Sequence, residues 1–431
     1  MRIIRYPERG QWKGIVERPH DDMAELDRTV SSVLDDIRDN GDAAVRKYEE
    51  KFDHVSLGNL KVTKEEIDRA CDSISTELRD AMLLAHRNIS LFHKAQAFKS
   101  VKTETAPGVT CWQKGIPIEK VGLYVPGGTA PLFSTVLMLA TPAKIAGCKE
   151  IVMCTPPDKQ GNVNDAILAA ARLSGVSTVF KIGGVQAIGA MAFGTESVPK
   201  VYKIFGPGNR YVMAAKQRVS LRDVAIDMPA GPSEVCVIAD DSSNPAFVAA
   251  DLLSQAEHGT DSQVMLICTS ERFAVRALEE TKKQAALLPR TDMIEKTLEH
   301  SSIVIVKDTS EAMELSNDYA PEHLIIATKD YDRLAEKVIN AGSVFLGEYA
   351  CESAGDYASG TNHTLPTNRH ALAYGGVNLD SFIRKTTFQH LTAEGVRSIG
   401  RAVEVMAENE HLAAHKKAMA VRIENVMGHD K

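Results

Sequence analysis

KVGLYVPGGTAPLFSTVLMLATPAKIAGCKEIVMCTPP, residues 120–157, decides the fold. KVGLYVP and EIVMCTPP are apolar runs of strand length that stop at proline, and the segment PLFSTVLMLATPAKIAG between them has helical spacing. Strand, helix and strand in that order make a parallel βαβ unit. The same texture continues downstream through STVFKIGG, KVYKIFGPG, SEVCVIAD, SQVMLICTS, SSIVIVKD, EHLIIATKD and GSVFLGEY, with helical segments such as NDAILAAARLSG and NPAFVAADLLSQAEHG between them. Such continuous apolar runs suit strands buried on both faces, so the fold class is α/β with parallel sheets. Upstream, after a short polar arm, residues 21–100 carry charged, helix-patterned runs such as TELRDAMLLAHRNISLFHKAQ. From about residue 376, LDSFIRKTTFQHL, EGVRSIGRAVEVMAENEHL and AAHKKAMAVRIENV read as amphipathic helices. They predict a mostly helical C-terminal appendage of the kind that docks on a partner subunit.

The chain has 431 residues, with 50 Lys plus Arg against 57 Asp plus Glu and a formal charge of −7. At roughly 100–200 residues per domain this length suggests two to four domains, enough to bury cores without disulfide or metal staples. An acidic balance spread along the chain argues against a nucleic-acid partner. No segment approaches roughly 18 uninterrupted apolar residues, and MRIIRYPERGQWKG carries charges where a signal peptide needs an apolar core. The expectation is a cytoplasmic protein without membrane association. The seven cysteines are scattered and never spaced C-x-x-C, as expected of small buried side chains in a reducing compartment.

Ligands of parallel sheets gather at the carboxyl ends of the strands, so the following loops are the first places to look for chemistry. YVPGGTAP (124–131), IGGVQAIGA (182–190), FGPGNRYV (205–212) and PAGPSEV (229–235) are rich in Gly and Pro and permit close backbone approach to a ligand. Each alone could be a plain turn; four within about a hundred residues favour a ligand surface. None matches G-x-G-x-x-G or the P-loop. Gln255 and His258 stand three apart at the end of a helical run and could face one ion, with Gly259 as the helix stop. The same spacing also arises when a histidine simply meets a helix C-terminus. In Ala320-Pro321-Glu322-His323 the proline fixes a corner before the strand LIIAT, placing two bases of different strength side by side. A solvated pair at a strand start is the plainer explanation. Asp356 and His363 lie in the polar, glycine-rich loop CESAGDYASGTNHTLPT, as ligands or as turn formers. Glu410 and His415 are five apart in the appendage and would share a site only if a helix starts or bends between them.

Together, GLYVPGGTAPLFSTVLM, GGVQAIGAMAFGTESVPKV, GPGNRYV, DMPAGPSEV, ADLLSQAEH, APEHL, GEYACESAGDYASGTNHTLPT and the closing Glu-x-x-x-x-His resemble the histidinol dehydrogenase family from about residue 20 to the C-terminus. The resemblance implies oxidation of L-histidinol to L-histidine through the aldehyde, using two NAD and one water, at the end of histidine biosynthesis. It implies zinc held by Gln255, His258, Asp356 and His415, a set of nitrogen and oxygen donors unlike cysteine-rich structural sites. These four residues and His323 would also touch the substrate, as would Ser233, His363 and Glu410. His323 would accept the protons released in the oxidations, and Glu322 would deprotonate the attacking water. The implied NAD contacts are Tyr124, Gln186 and Asn209.

The implied architecture is two incomplete Rossmann-like domains with parallel sheets, plus small, mostly helical terminal domains that intertwine a homodimer. On this chain it places an arm at 1–21, a first domain at 22–123 and 235–375, an inserted domain at 124–234 and a swapped helical domain at 376–431. Glu410 and His415 would then reach the neighbouring subunit's site. Relatives that oxidise other small hydroxy compounds, such as a sulfonated diol, would share the zinc set; Glu410 and His363 favour a cationic amino-imidazole substrate. A zinc hydrolase would leave the nucleotide-like loops unexplained, and a non-catalytic binding protein would leave Glu322 and His323 so.

Overall fold

A computed structural model of the protein describes residues 1–18, 24–127 and 131–428; the end of the expected arm (19–21) and the centre of the 124–131 loop (128–130) lie outside them. The larger of two units comprises Met1–Gln96 and Glu119–Ser381. It holds two parallel sheets. The six-stranded sheet runs β1 (Arg2–Arg5), β11 (Ser302–Ile305), β10 (Gln263–Cys268), β9 (Glu234–Ala239), β12 (His323–Ile326) and β13 (Ser343–Leu346). The five-stranded sheet runs β6 (Thr178–Lys181), β5 (Glu150–Thr155), β4 (Lys120–Tyr124), β7 (Lys203–Phe205) and β8 (Ala225–Ile226). Each sheet is built outward from an inner strand, β9 or β4, first to one side and then to the other. The strand order therefore reverses between β9 and β12 and between β4 and β7, the switch points of a doubly wound sheet.

The inner strands are apolar on both faces because both are covered. Val235, Val237 and Ala239 of β9 pack with Val248, Leu252 and Ala256 of the helix Pro245–Ala256. Cys236 and Ile238 point the other way, into a layer with Trp12, Ile15, Met313 and Tyr319. At roughly 1.5–3 kcal/mol per fully buried large apolar side chain, these layers hold β9 and β12 as a rigid platform. The helix Pro245–Ala256 starts on Asn244, whose side chain accepts from the Ala246 N–H, and on Pro245 in its first turn. It closes at Ala256, three residues before Gly259, so the expected glycine stop is not used. The Glu257 N–H makes the last α-helical bond, to Leu253 O, and the His258 N–H then turns to Gln255 O at 3.3 Å, three residues back instead of four.

The second unit comprises Ala97–Ile118 and Phe382–Lys431. Here β2 (Lys102–Ala106), β3 (Val109–Pro117) and β14 (Ile383–Leu391) form an antiparallel sheet in the order β14-β3-β2, followed by the helices Ala393–Asn409 and Ala413–Gly428. IRKTTFQHL is therefore a strand, whereas its sequence reads as a helix. Ile383, Thr386, Thr387 and Leu391 fit a helical spacing, but nine cross-strand pairs with β3 satisfy the backbone, and Phe388 stacks on its partner Trp112 at 5.4 Å. Among the described residues no helix is long and apolar enough to cross a membrane.

Candidate active site

The helix Thr309–Tyr319 ends on Ala320 in the left-handed region (φ 50°), Pro321 follows, and the chain turns directly into β12. A left-handed alanine carries strain that the surrounding packing must hold. This corner delivers Glu322 and His323 to the amino end of the sheet, with only 6% and 4% of their surfaces exposed. Both hang on one neighbouring residue of β9. The Glu234 N–H donates to Glu322 Oε2 (2.9 Å), and the Glu234 carbonyl lies 3.2 Å from His323 Nδ1. A carbonyl can only accept, so Nδ1 carries a proton and Nε2 is the nitrogen that faces the neighbouring carboxylates. Buried Nε2 has no hydrogen-bond partner in the protein and stands 3.6 Å from Asp356 Oδ1.

Asp356 and Glu352 occupy positions four apart on the short helix Glu352–Tyr357, so both carboxylates face the corner. One donor atom each from His258, Glu352 and Asp356 lies within 4.8 Å of the others. Gln255, buried at the end of its helix, faces Glu352. With its amide nitrogen toward that carboxylate it donates at 3.1 Å, and its oxygen accepts from the Glu234 N–H at 3.0 Å. Half-buried His363 is held by the Asp356 carbonyl at Nδ1 (3.0 Å) and by Thr135 Oγ1 at Nε2 (3.2 Å). Ser233, also half-buried, precedes β9, and its carbonyl accepts from the Gln263 N–H.

The electrostatics follow from three carboxyls around one imidazole. Burial pushes Glu322 up to about 7 against the opposing pull of His323, and pushes Glu352 up to about 8. Burial works against charge on His323, but Glu352, Glu322 and Asp356 outweigh it and lift the ring to about 10. Burial would raise Asp356 too, yet the nearby His323 ring, with His363 and His258, brings it below the usual carboxylate range. His258 and His363 are lowered by the crowding of protein around their rings, although the His258 side chain still reaches solvent. A buried excess of carboxylate with an imidazole at its rim attracts a cation. The nitrogen and oxygen donors, without thiolate, suit a divalent ion that keeps positions open.

This cluster sits at the amino edge of its sheet, not at the carboxyl ends where the sequence directs the search. The crossover geometry is the reason: the helices after β9 and β13 run back antiparallel to the strands and drop Gln255, His258 and Asp356 beside the starts of β9 and β12. The five-stranded sheet follows the expected rule. Tyr124 ends β4, Gln186 follows β6 and Asn209 follows β7. Buried Tyr124 accepts from the Gly184 N–H at its hydroxyl (3.1 Å). Fully enclosed Gln186 donates to Glu49 (2.8 Å) and Asp53 (3.0 Å). Asn209 is exposed and caps the helix Arg210–Ser220 through the N–H groups of Tyr211 and Val212. Glu49 also takes the Gly183 N–H, so the chain's own groups hold the N-terminus of the helix that follows β6. Glu410 and His415 lie exposed in the second unit, at the end of one helix and in the first turn of the next. Residues the sequence reading passed over are Glu352, Glu234, Glu49 and Asp53. Only Glu352 had a local signal, its helical spacing from Asp356.

The family model described as Histidinol dehydrogenase matches residues 16–423. The chain belongs to the histidinol dehydrogenase family. It is similar to the histidinol dehydrogenase of Bacteroides fragilis, with 62% identity over 99% of this chain and 100% of that one. Identity to the histidinol dehydrogenase of Escherichia coli K12 is 50%, over 96% of this chain and 95% of the other. The crystal structure of histidinol dehydrogenase from Elizabethkingia anophelis superposes with a TM-score of 0.97 at 50% identity, covering 99% of this chain and 98% of that one. Membership of this family and its α/β architecture agree with what the motifs imply.

Proposed function

We propose that this chain oxidises L-histidinol to L-histidine through the aldehyde, using zinc and NAD, in the last steps of histidine biosynthesis. The observation that carries the reading is the buried Glu322–His323 pair placed directly beside the His258, Glu352 and Asp356 cluster. His258 and Asp356 would hold zinc together with Gln255, whose amide would have to turn its oxygen from the Glu234 N–H to the Glu352 side of the cluster to serve as a ligand. Zinc, when bound, supplies positive charge that offsets the carboxylates and orients the amino and imidazole nitrogens of the substrate.

With its Nδ1 proton tied to Glu234, His323 would present Nε2 to take the hydroxyl proton as the carbinol carbon gives up hydride, once the charge of bound zinc offsets the carboxylates that otherwise keep the ring protonated. NAD supplies the acceptor for each of the two hydrides. Glu322, raised by burial to about 7, is a base of useful strength near neutrality and takes a proton from the water that adds to the aldehyde, while His323 returns its proton to the carbonyl oxygen and is ready to accept again. His323 then accepts the proton of the resulting gem-diol as the second hydride leaves. The enclosed corner keeps the aldehyde from bulk water between steps. Ser233 and His363 line the same corner as candidate substrate contacts.

Tyr124, Gln186 and Asn209 are the candidates for NAD because they gather at the carboxyl edge of the five-stranded sheet. Asn209 is the exposed one, so contact with Tyr124 or Gln186 requires the loops around them to open. Glu410 and His415 would complete the site from a second copy of the chain. All seven cysteines are free, which suits a cytoplasmic enzyme. Incubating the zinc-loaded protein with NAD and histidinol tests the reading. It predicts two NADH per histidinol; aldehyde release after one NADH contradicts the two-step mechanism, and no NADH rejects the reaction.

A further inference from the structure

The Glu322–His323 pair owes its orientation to the backbone of Glu234, and the side chain of Glu234 is itself gripped from the start of the chain. Arg18 meets it with a two-pronged contact, Nε to Oε1 at 3.0 Å and Nη2 to Oε2 at 2.6 Å. Both side chains are almost fully buried. The guanidinium also donates to the carbonyls of Val16 (2.7 Å) and Tyr319 (2.9 Å) and lies 3.7 Å above the Tyr319 ring. Tyr319 is anchored in turn by its hydroxyl, which donates to Gln263 at 2.9 Å. The Asn368 N–H adds a further donor to Glu234 Oε1 at 2.7 Å. Arginine's planar fork suits this task, since it fixes a carboxylate in angle as well as in distance.

A buried ion pair is weak support for stability, because desolvation cancels much of the attraction. Its placement points to orientation instead. Glu234 is the one residue whose N–H meets Glu322 and whose carbonyl meets His323. A rotation of that peptide would release both groups together and free His323 Nδ1. We propose that Arg18 and Glu234 are positioning residues: a buried clamp that holds the Glu234 peptide so that His323 keeps its Nδ1 proton bonded away from the substrate and Glu322 keeps one oxygen tied. This rests on the reaction assigned above.

The test uses the zinc-loaded full chain. R18M/E234Q replaces the pair by neutral side chains and leaves no uncompensated charge, while R18K keeps the charge without the fork. In the parent protein the bonded Nδ1 proton of His323 gives a downfield proton resonance, assigned by its loss in H323N. In R18M/E234Q that resonance is expected to disappear and kcat for both oxidations to fall by at least about tenfold, a loss typical of small misplacements. KM for histidinol and zinc affinity stay within about threefold, since no ligand of either is altered. R18K is expected to fall between the two. A retained resonance or an unchanged kcat in R18M/E234Q overturns the clamp; should that variant fail to fold, R18K decides on the same two readouts. If the parent protein does not oxidise histidinol, the assigned reaction falls, and the resonance alone still decides the clamp.

Discussion

Replacing Glu49 by glutamine isolates the cost of a buried carboxylate that makes no bond to Glu322 or His323. Glu49 has no exposed surface, and its Oε1 accepts from the Gly183 N–H (2.9 Å) and from Gln186 (2.8 Å), while Oε2 has no partner in the protein. Burial, with a smaller contribution from Asp53, pushes its carboxyl from 4.5 up to about 7. The folded protein therefore binds a proton on Glu49 more readily than the unfolded chain does. The resulting stability is fully present below pH 4.5 and is lost as pH rises through about 7. A shift of this size corresponds to about 3 kcal/mol at pH 8. Glu49→Gln keeps one oxygen for both donors and never ionises, so it should be more stable than the parent at pH 8 and about equal to it at pH 5. At roughly 2 °C per kcal/mol for a unit of this size, the expected gain in Tm at pH 8 is about 6 °C. Thermal unfolding of both proteins at the two pH values is the assay. A Tm difference that is the same at pH 5 and pH 8, or a loss at pH 8, would refute the argument.

Two further substitutions probe other links. Glu322→Gln should slow oxidation of the aldehyde roughly 100-fold or more, with the first hydride transfer within about tenfold of the parent, whereas His323→Asn should slow both steps; single-turnover NADH formation from histidinol and from the aldehyde separates them. Gly206→Ala should cost at least about 2 kcal/mol in denaturant unfolding, because Gly206 sits at φ 127° and a Cβ there would collide with the Tyr124 carbonyl.

The parallel sheets were legible because each strand is a short apolar run bounded by turn residues, a pattern set by burial on both faces. Strand β14 was not: its residues are mostly exposed, and what makes it a strand is β3, more than 250 residues earlier in the chain. The Glu322–His323 corner could be read because proline fixes it locally. Arg18 and Glu234 could not be paired, since they are 216 residues apart and neither stands in a recognisable spacing. That the His258, Glu352 and Asp356 cluster lies at the amino edge of the sheet was not legible, since strand ends are visible in sequence whereas the landing points of returning helices are not. Glu352 lay within a quoted motif, and only the helix Glu352–Tyr357 turns its side chain toward Asp356.

The central claim is that side chains at 258 and 356 converge on one cation beside the 322/323 corner. Stripping the protein of metal, reloading it with zinc and locating the ion by anomalous diffraction tests this most directly. The account predicts a single strong peak about 2.0–2.2 Å from a His258 nitrogen and an Asp356 oxygen. Zinc bound elsewhere in a protein that still oxidises histidinol would contradict it.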